Sequence, residues 1–485
     1  MLKQGYFPVR WALGLDEGFG VPIFNYTYPG PYYIVGGLMF LGFTVTTATK
    51  ILLLGSYVLG GVSFFLIFRR KNKWLAVVAA LLYLNTPYQF LDMFVRNALG
   101  EVVVLGLMPL AWLMMEDIKK RKSLKIYHPI PLFLLLISHS FLGILFLAFI
   151  AAYFVWQRTI DKNIWKCIFL SLGLAAFFLV PMIFEKNLIT SGKTSNYTFD
   201  YREHFVYPAQ LLYGKWDYWY SNPGPNDGIS FQLGIANILV LVIGLFLLLF
   251  KKIPLDSEII FYYLALILAI FLMLPVSSLL WEKIKVLQVM QFPWRFLFLI
   301  TYLVPLIFLK IFGSFKNKTW IFLVTIFILL VSFYNTRNYR RPMEFWSPNN
   351  LNYKGYYDLY RNGTTTASRG EVTPIWSTKI HYPIDDNIKK FKFSIDSTVS
   401  NNIVKIGYNY FPSWNLKSEG NDVELMPGDS GILTFRPLIG KHDYVLKLGE
   451  TLIEKISDGI SLLSLLWLVG GGWARRRWLG YNGSR

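Results

Sequence analysis

Asp92, Arg96 and Glu101 stand four and five residues apart within Leu91-Asp92-Met93-Phe94-Val95-Arg96-Asn97-Ala98-Leu99-Gly100-Glu101. On a helix such spacings put side chains on roughly one face. A guanidinium between two carboxylates suits the grip of a phosphate, with Asp92 or Glu101 orienting it or binding a divalent metal. The same trio also suits an ion pair that pins a helix. His139, between Ser138 and Ser140, can bind a metal, move a proton or donate hydrogen bonds. Arg295, in Gln291-Phe292-Pro293-Trp294-Arg295, is a second candidate phosphate contact, or a cation reaching for lipid headgroups. His204 and Trp219 lie in a stretch with Asp200, Trp216 and Asp227. Aromatics that stack on sugars and carboxylates that hold hydroxyls suit a glycan there. Trp and Tyr also gather wherever a chain rests on a membrane surface.

The elements that must position these residues are apolar helices. The 485 residues are 54% hydrophobic and only 16% charged, against about a quarter charged in soluble domains. Apolar runs of membrane length recur from Ile34 to Phe333. The net charge of +19 sits in short turns between those runs, the pattern of cytoplasmic loops and not of a nucleic-acid surface. The turns are Arg69–Lys73, Lys119–Lys122, Arg158 with Lys162 and Lys166, Lys251-Lys252, and Lys310 to Lys318; Arg475-Arg476-Arg477 closes the chain. Cys167 is the one cysteine, which excludes an internal disulfide and a CxxC metal site. No P-loop, HExxH or GxSxG phrase occurs.

The pattern predicts an interfacial or re-entrant helix over 33–44 and a span over 48–68. A pair over 74–86 and 101–116 follows, then a tight hairpin over 128–157. Spans over 164–184, 233–250, 258–275, 294–312 and 319–334 complete the set. Residues 1–334 form the multi-span domain, with outer loops 1–31, 87–100 and 185–232. Residues 335–457, where Ile403–Tyr408 and Gly431–Phe435 alternate as strands do, form an extracytoplasmic β-sandwich. A short final helix spans 458–472, weakened by Gly470-Gly471-Gly472, with an irregular tail. The fold class is an all-α polytopic membrane bundle with a C-terminal β-sandwich.

Several phrases resemble those of a bacterial membrane-protein family of the GT-C glycosyltransferase type, labelled 6-pyruvoyl-tetrahydropterin-synthase-related. The opening loop, Gly5-Tyr6-Phe7-Pro8-Val9-Arg10-Trp11, is similar to its "F-P-x-R-W" phrase. The Asp92 stretch resembles "D-x-Y-V-R-G-A-L-A-E", with Asn97 where Gly is usual, and Ser138-His139-Ser140 stands where "T-H-N" is common. His204–Leu211 resembles "H-F-V-Y-P-x-Q-L", and Tyr410-Phe411-Pro412-Ser413-Trp414 resembles "YYPGW". The resemblance implies transfer of a sugar from a polyprenyl-phosphate donor on the outer membrane face to a glycan, lipid or protein acceptor. It makes Asp16 and Glu17, in the first outer loop, candidates for the base that deprotonates the acceptor hydroxyl. Arg10 becomes a candidate phosphate or acidic-sugar contact. The family pattern places a further helix before this loop, so the chain is expected to lack it and to be poorly active as written. A non-catalytic envelope scaffold and a lipid-linked sugar flippase are the alternatives.

The orientation is testable. Protease added to intact spheroplasts is expected to cut within 335–457 and to spare 119–125; the reverse pattern would invert the topology.

Overall fold

The computed structural model describes residues 1–159, 161–190, 200–218, 220–341, 374–376, 391–399, 402–429 and 431–481, without the side chains of Glu17 and 471–481. It is mostly helical, with a sheet region toward the C-terminus. The main helices are α1 Gly30–Phe40, α2 Val45–Phe68, α3 Lys73–Leu84, α4 Leu99–Arg121, α5 Ile130–Ser138, α6 Ser140–Trp156, α7 Lys162–Leu174, α8 Ala176–Phe184, α9 Ile235–Leu249, α10 Ser257–Met273, α11 Leu297–Phe312, α12 Lys318–Thr336 and α13 Leu452–Tyr481. Among the described residues, four helices are long and apolar enough to cross a membrane, or up to seven if each bent pair is one span. Two compact units emerge: Pro29–Leu172 with Asn196–Phe345 and Leu468–Arg485, and Met1–Tyr28 with Gly173–Ser195 and Trp346–Trp467.

In the helical unit, α2 packs on α3 and α4. The approach of α2 to α4 depends on small residues, since a Cβ on Gly106 would stand 2.5 Å from the Ser56 carbonyl oxygen. Helix α4 and the Pro293–Phe312 helix are 72% and 78% buried, against 33% for α2 and α12. The first two therefore form the interior of the unit and the last two its rim. The basic turns are tied together at one end. Lys122 Nζ lies 3.7 Å from Asp161 Oδ2, and Asn163 Nδ2 donates to the Lys122 carbonyl at 3.0 Å. Trp156 Nε1 donates to the Ser257 carbonyl at 2.9 Å, and Lys310 pairs with Asp256 at 2.9 Å. The opposite helix ends meet through Phe90 and Tyr339 and through Arg340 donating to Asn85.

Two expected spans are bent. The 258–275 span turns by 89° after Met273. The carbonyls freed there are taken up locally: Met273 O accepts from Val206 N at 2.8 Å, and Leu272 O accepts from Trp281 Nε1 at 3.0 Å. An apolar medium tolerates a broken helix only when protein groups satisfy the freed backbone. The 164–184 span bends by 66° between α7 and α8. There Ser461 Oγ donates to Gly173 O at 3.1 Å and accepts from Phe177 N at 2.8 Å.

The sheet unit holds β1 Lys392–Ser397, β2 Val404–Asn409, β3 Trp414–Ser418, β4 Asn421–Val423, β5 Met426–Pro427, β6 Ile432–Phe435 and β7 Gly440–Leu448. They form a four-stranded sheet, β1-β7-β3-β4, and a three-stranded sheet, β2-β6-β5. Ile406, Tyr408, Leu433 and Phe435 of one meet Trp414, Leu416, Tyr444 and Leu446 of the other in a shared core. The opening loop belongs to that core. Trp11 is 1% exposed, with edge contacts to Phe411 and Trp414 at 5.8 and 5.3 Å between ring centroids. The register of β2 on β6 shifts between Ile406 and Asn409. At that bulge Asn409 N donates to Phe19 O at 2.9 Å, and Asn409 Nδ2 donates to Gly20 O at 2.8 Å. This grouping differs from a division at residue 334, because the loop's aromatic residues are buried by the sheets.

The final helix also differs from expectation. It begins six residues earlier than 458 and continues to Tyr481. A reciprocal cap starts it: Thr451 N donates to Glu454 Oε2 at 2.7 Å, and Glu454 N donates to Thr451 Oγ1 at 3.1 Å. The glycines weaken the helix by about 1 kcal/mol each, which does not end it.

Trp11→Ala empties a site that two sheets surround, and is expected to destabilise the sheet unit by about 3–5 kcal/mol. Pulse proteolysis in urea should show the loss, with Trp11→Phe recovering part of it.

Candidate functional site

The structure brings Asp92, Arg96, Glu101, His139 and Arg295 together in the helical unit. The first three do not lie on one helix face, which corrects the expectation from their spacing: no single helix carries all three, and a five-residue step turns about 140° round a helix. Leu91–Val95 is a single π-helical turn, Asn97 adopts a left-handed conformation with φ 47°, and α4 starts anew at Leu99. The break folds Arg96 back onto both carboxylates. Asn is among the few residues that enter this region at little cost.

Glu101 is the centre of the cluster and is 1% exposed. Arg96 donates to it through Nη1 to Oε2 at 2.9 Å and through Nη2 to Oε1 at 2.8 Å. Arg295 Nε donates to Oε1 at 3.1 Å, and the Tyr88 hydroxyl donates to Oε2 at 2.6 Å. His139 Nε2 lies 3.8 Å from Oε1. Arg96 also donates to Asp92 Oδ1, while Asp92 Oδ2 is buried without a hydrogen-bond partner. Beneath the guanidinium lies the Trp294 ring, its centroid 4.4 Å from Arg96 Cζ. Trp294 Nε1 is likewise buried without a partner.

Two helix N-termini lie at this cluster. Helix α4 begins just before Glu101. Helix α6 begins at Ser140, with His139 Nδ1 accepting from Leu142 N at 3.4 Å. Helix α1 begins at Gly30 against the C-terminal end of α5, where a Cβ would stand 2.8 Å from Ile137 O and 2.9 Å from Ser138 Oγ. Each N-terminus carries about half a positive charge. Arg96 and Arg295 formally balance Asp92 and Glu101, and the N-termini of α4 and α6 add positive charge that the C-terminus of α5 at Ser138 offsets in part. Such a place favours anions.

His204 lies one ring away. Its centroid is 4.7 Å from that of Phe292, whose face carries the Arg295 guanidinium at 4.9 Å. Its Nδ1 is 2.9 Å from Ser221 Oγ. Nearby, Asp227 accepts from Gln210 Nε2 at 2.6 Å and Asn222 N at 2.8 Å. Burial pushes the Asp227 carboxyl up to about 6, against the lowering effect of those bonds.

Other sequence candidates lie elsewhere. Asp16 is in the sheet unit, 4% exposed, and its Oδ2 accepts from Asn409 Nδ2 at 2.7 Å. That bond anchors the loop on the β2 bulge. Arg10 is also in the sheet unit, donating to Asp458 at 2.7 Å, to Asn25 Oδ1 at 3.1 Å and to the Phe177 carbonyl at 3.1 Å. The side chain of Glu17 and all of Trp219 lie outside the described residues. Among the described residues, no group of three or more His, Cys, Asp or Glu side chains could hold a metal ion. Tyr88 was not a sequence candidate, and its Thr86-Pro87 approach is the one local signal for a turn before it.

No protein-family model matches the chain, and no curated protein matches it. The GT-C resemblance therefore rests on the quoted phrases.

Two outcomes follow from this geometry. Asn97→Val is expected to cost about 1–2 kcal/mol through the left-handed backbone, with Asn97→Gly near neutral; thermal unfolding in detergent measures both. Because the folded-state pKa of Asp227 is raised, the folded state binds the proton more readily than the unfolded state. Its contribution to stability is therefore present at low pH and is lost as pH rises from about 4 through about 6. Asp227→Asn should flatten the difference in unfolding temperature between pH 5 and pH 7.5.

Proposed function

We propose that this chain is an integral membrane glycosyltransferase of GT-C type, taking a sugar from a polyprenyl-phosphate donor on the outer membrane face. The observation that carries the reading is the convergence of Arg96 and Arg295, both largely buried, on one point beside the N-termini of α4 and α6. That point lies at the end of the helical unit opposite its basic turns. Positive turns mark the cytoplasmic side, so the cluster's end is the outer one. Cations kept there at the cost of desolvation suit an anionic ligand more than mere anchoring.

In this reading the donor's phosphate lies against Arg96 and Arg295. The acceptor hydroxyl attacks the anomeric carbon, forming the new C–O bond as the bond to the phosphate oxygen breaks. The leaving polyprenyl phosphate carries the charge, which the guanidiniums and helix ends stabilise. The hydroxyl proton passes to a carboxylate. Asp92, whose Oδ2 has no hydrogen-bond partner, fits that role better than Asp16, whose carboxylate holds Asn409. The glycan, lipid or protein acceptor is left open.

A second reading, a non-catalytic envelope scaffold, is favoured by the cluster's closure: each of its charges is paired and Glu101 is sealed. One assay separates the two. The full chain in nanodiscs is supplied with sugar-loaded polyprenyl phosphate and transfer is followed. Arg295→Gln, removing one charge from the leaving phosphate, should lower kcat about 100-fold while the fold persists. No transfer by the unaltered chain with any sugar donor leaves the scaffold.

A further inference from the structure

We propose that Glu101 is an internal stand-in for a lipid phosphodiester, and that the ligand's phosphate takes its seat on Arg96, Arg295 and Tyr88. The proposal rests on the reading of this cluster as the phosphate end of the site, and adds which phosphate it accepts and what must move first.

The donor set is the starting point. Four donor groups converge on the two oxygens of one carboxylate: two from the Arg96 fork, one from Arg295 Nε and one from the Tyr88 hydroxyl. A carboxylate offers two oxygens and one negative charge. A phosphodiester offers two non-bridging oxygens and one negative charge, so it can replace the carboxylate donor for donor. A phosphomonoester carries three oxygens and about −1.5 to −2 at neutral pH. With Asp92 fixed beside Arg96, that extra charge has no counterpart in the cluster. The resting seat, with Asp92 ionised, therefore favours the loaded diester over a free monoester; during transfer the proton that Asp92 takes up removes its charge and leaves the guanidiniums to the leaving phosphate.

Further geometry supports displacement. His139 Nε2, at 3.8 Å, gives the carboxylate a neighbour to turn toward when the guanidiniums let go. Trp294 Nε1 and Asp92 Oδ2 are an unspent donor and an unspent acceptor, both buried in this cluster. Buried polar atoms without partners are rare and costly. A ligand bearing hydroxyl groups next to its phosphate would use both. A plain ion pair built for anchoring would leave neither.

The test is lipid binding, read by native mass spectrometry on the full chain in detergent. Four probes are compared: a polyprenyl-phosphate-linked sugar, phosphatidylglycerol, the polyprenyl phosphate monoester and, as the phosphate-free control, diacylglycerol. Glu101→Gln keeps the shape and removes the competing charge, and should tighten phosphodiester binding about tenfold, the worth of one charge-assisted hydrogen bond. The monoester should gain less, and adding Arg295→Gln should abolish the gain. A gain confined to the sugar-linked lipid identifies the carrier as occupant, and an equal gain with phosphatidylglycerol identifies a general lipid phosphodiester seat. Should Glu101→Gln fail to fold, Glu101→Asp keeps the charge but draws it back by one methylene, and should show a smaller gain. No gain in a folded variant, an equal gain for diacylglycerol, or a gain that survives Arg295→Gln overturns the proposal. Phosphodiester gain without any sugar transfer would remove the enzyme reading and leave the seat, whereas transfer without the gain would do the opposite.

Discussion

The helical unit is organised around one buried carboxylate. Removing a charge from water costs several kcal/mol even after relaxation, and the loss is offset only when geometry and hydrogen bonds are both good. Glu101 meets that condition by drawing donors from separated segments: Tyr88 before the break, Arg96 within it, and Arg295 at the start of the Pro293–Phe312 helix. His139, from the turn between α5 and α6, completes the ring at longer range. Deleting one partner would strand a charge in an apolar interior, so the segments hold one another in register.

That constraint explains why the chain abandons regular helix where it does. A continuous helix through 91–101 would leave Arg96 and Glu101 five residues apart, which does not bring side chains face to face. A π-helical turn followed by a left-handed Asn97 lets the chain double back, so that Arg96 reaches both carboxylates. The same economy governs the bends after Met273 and between α7 and α8, where Trp281 and Ser461 supply bonds that the helix gives up. Each irregularity carries its own local compensation, as an apolar surrounding requires.

The sheet unit solves a different problem. Lacking a disulfide, its two small sheets gain apolar area by taking in the opening loop. Trp11 fills the space beside Phe411 and Trp414, and the β2 bulge turns Asn409 toward Phe19, Gly20 and Asp16. Arg10 then meets Asn25 and Asp458, and Asn25 donates to Glu454. The loop's polar residues thus serve its attachment, and the chemistry available to them is correspondingly narrowed.

By itself the sequence determined the local features. Apolar length places α2, α4, α11 and α12, and the charged turns predict which helix ends belong together. Alternation picks out β2 and β6. Periodicity records which face of one element is apolar, and nothing about which remote element meets it. Only the tertiary structure decided that Arg295, 194 residues along the chain from Glu101, shares its carboxylate, that Tyr88 joins them, that Asp16 answers to the β2 bulge, and that Arg10 answers to Asn25 and the start of the last helix. The reason is physical: a buried charge is tolerable only in company, and that company is chosen by packing between distant segments, which local spacing does not encode.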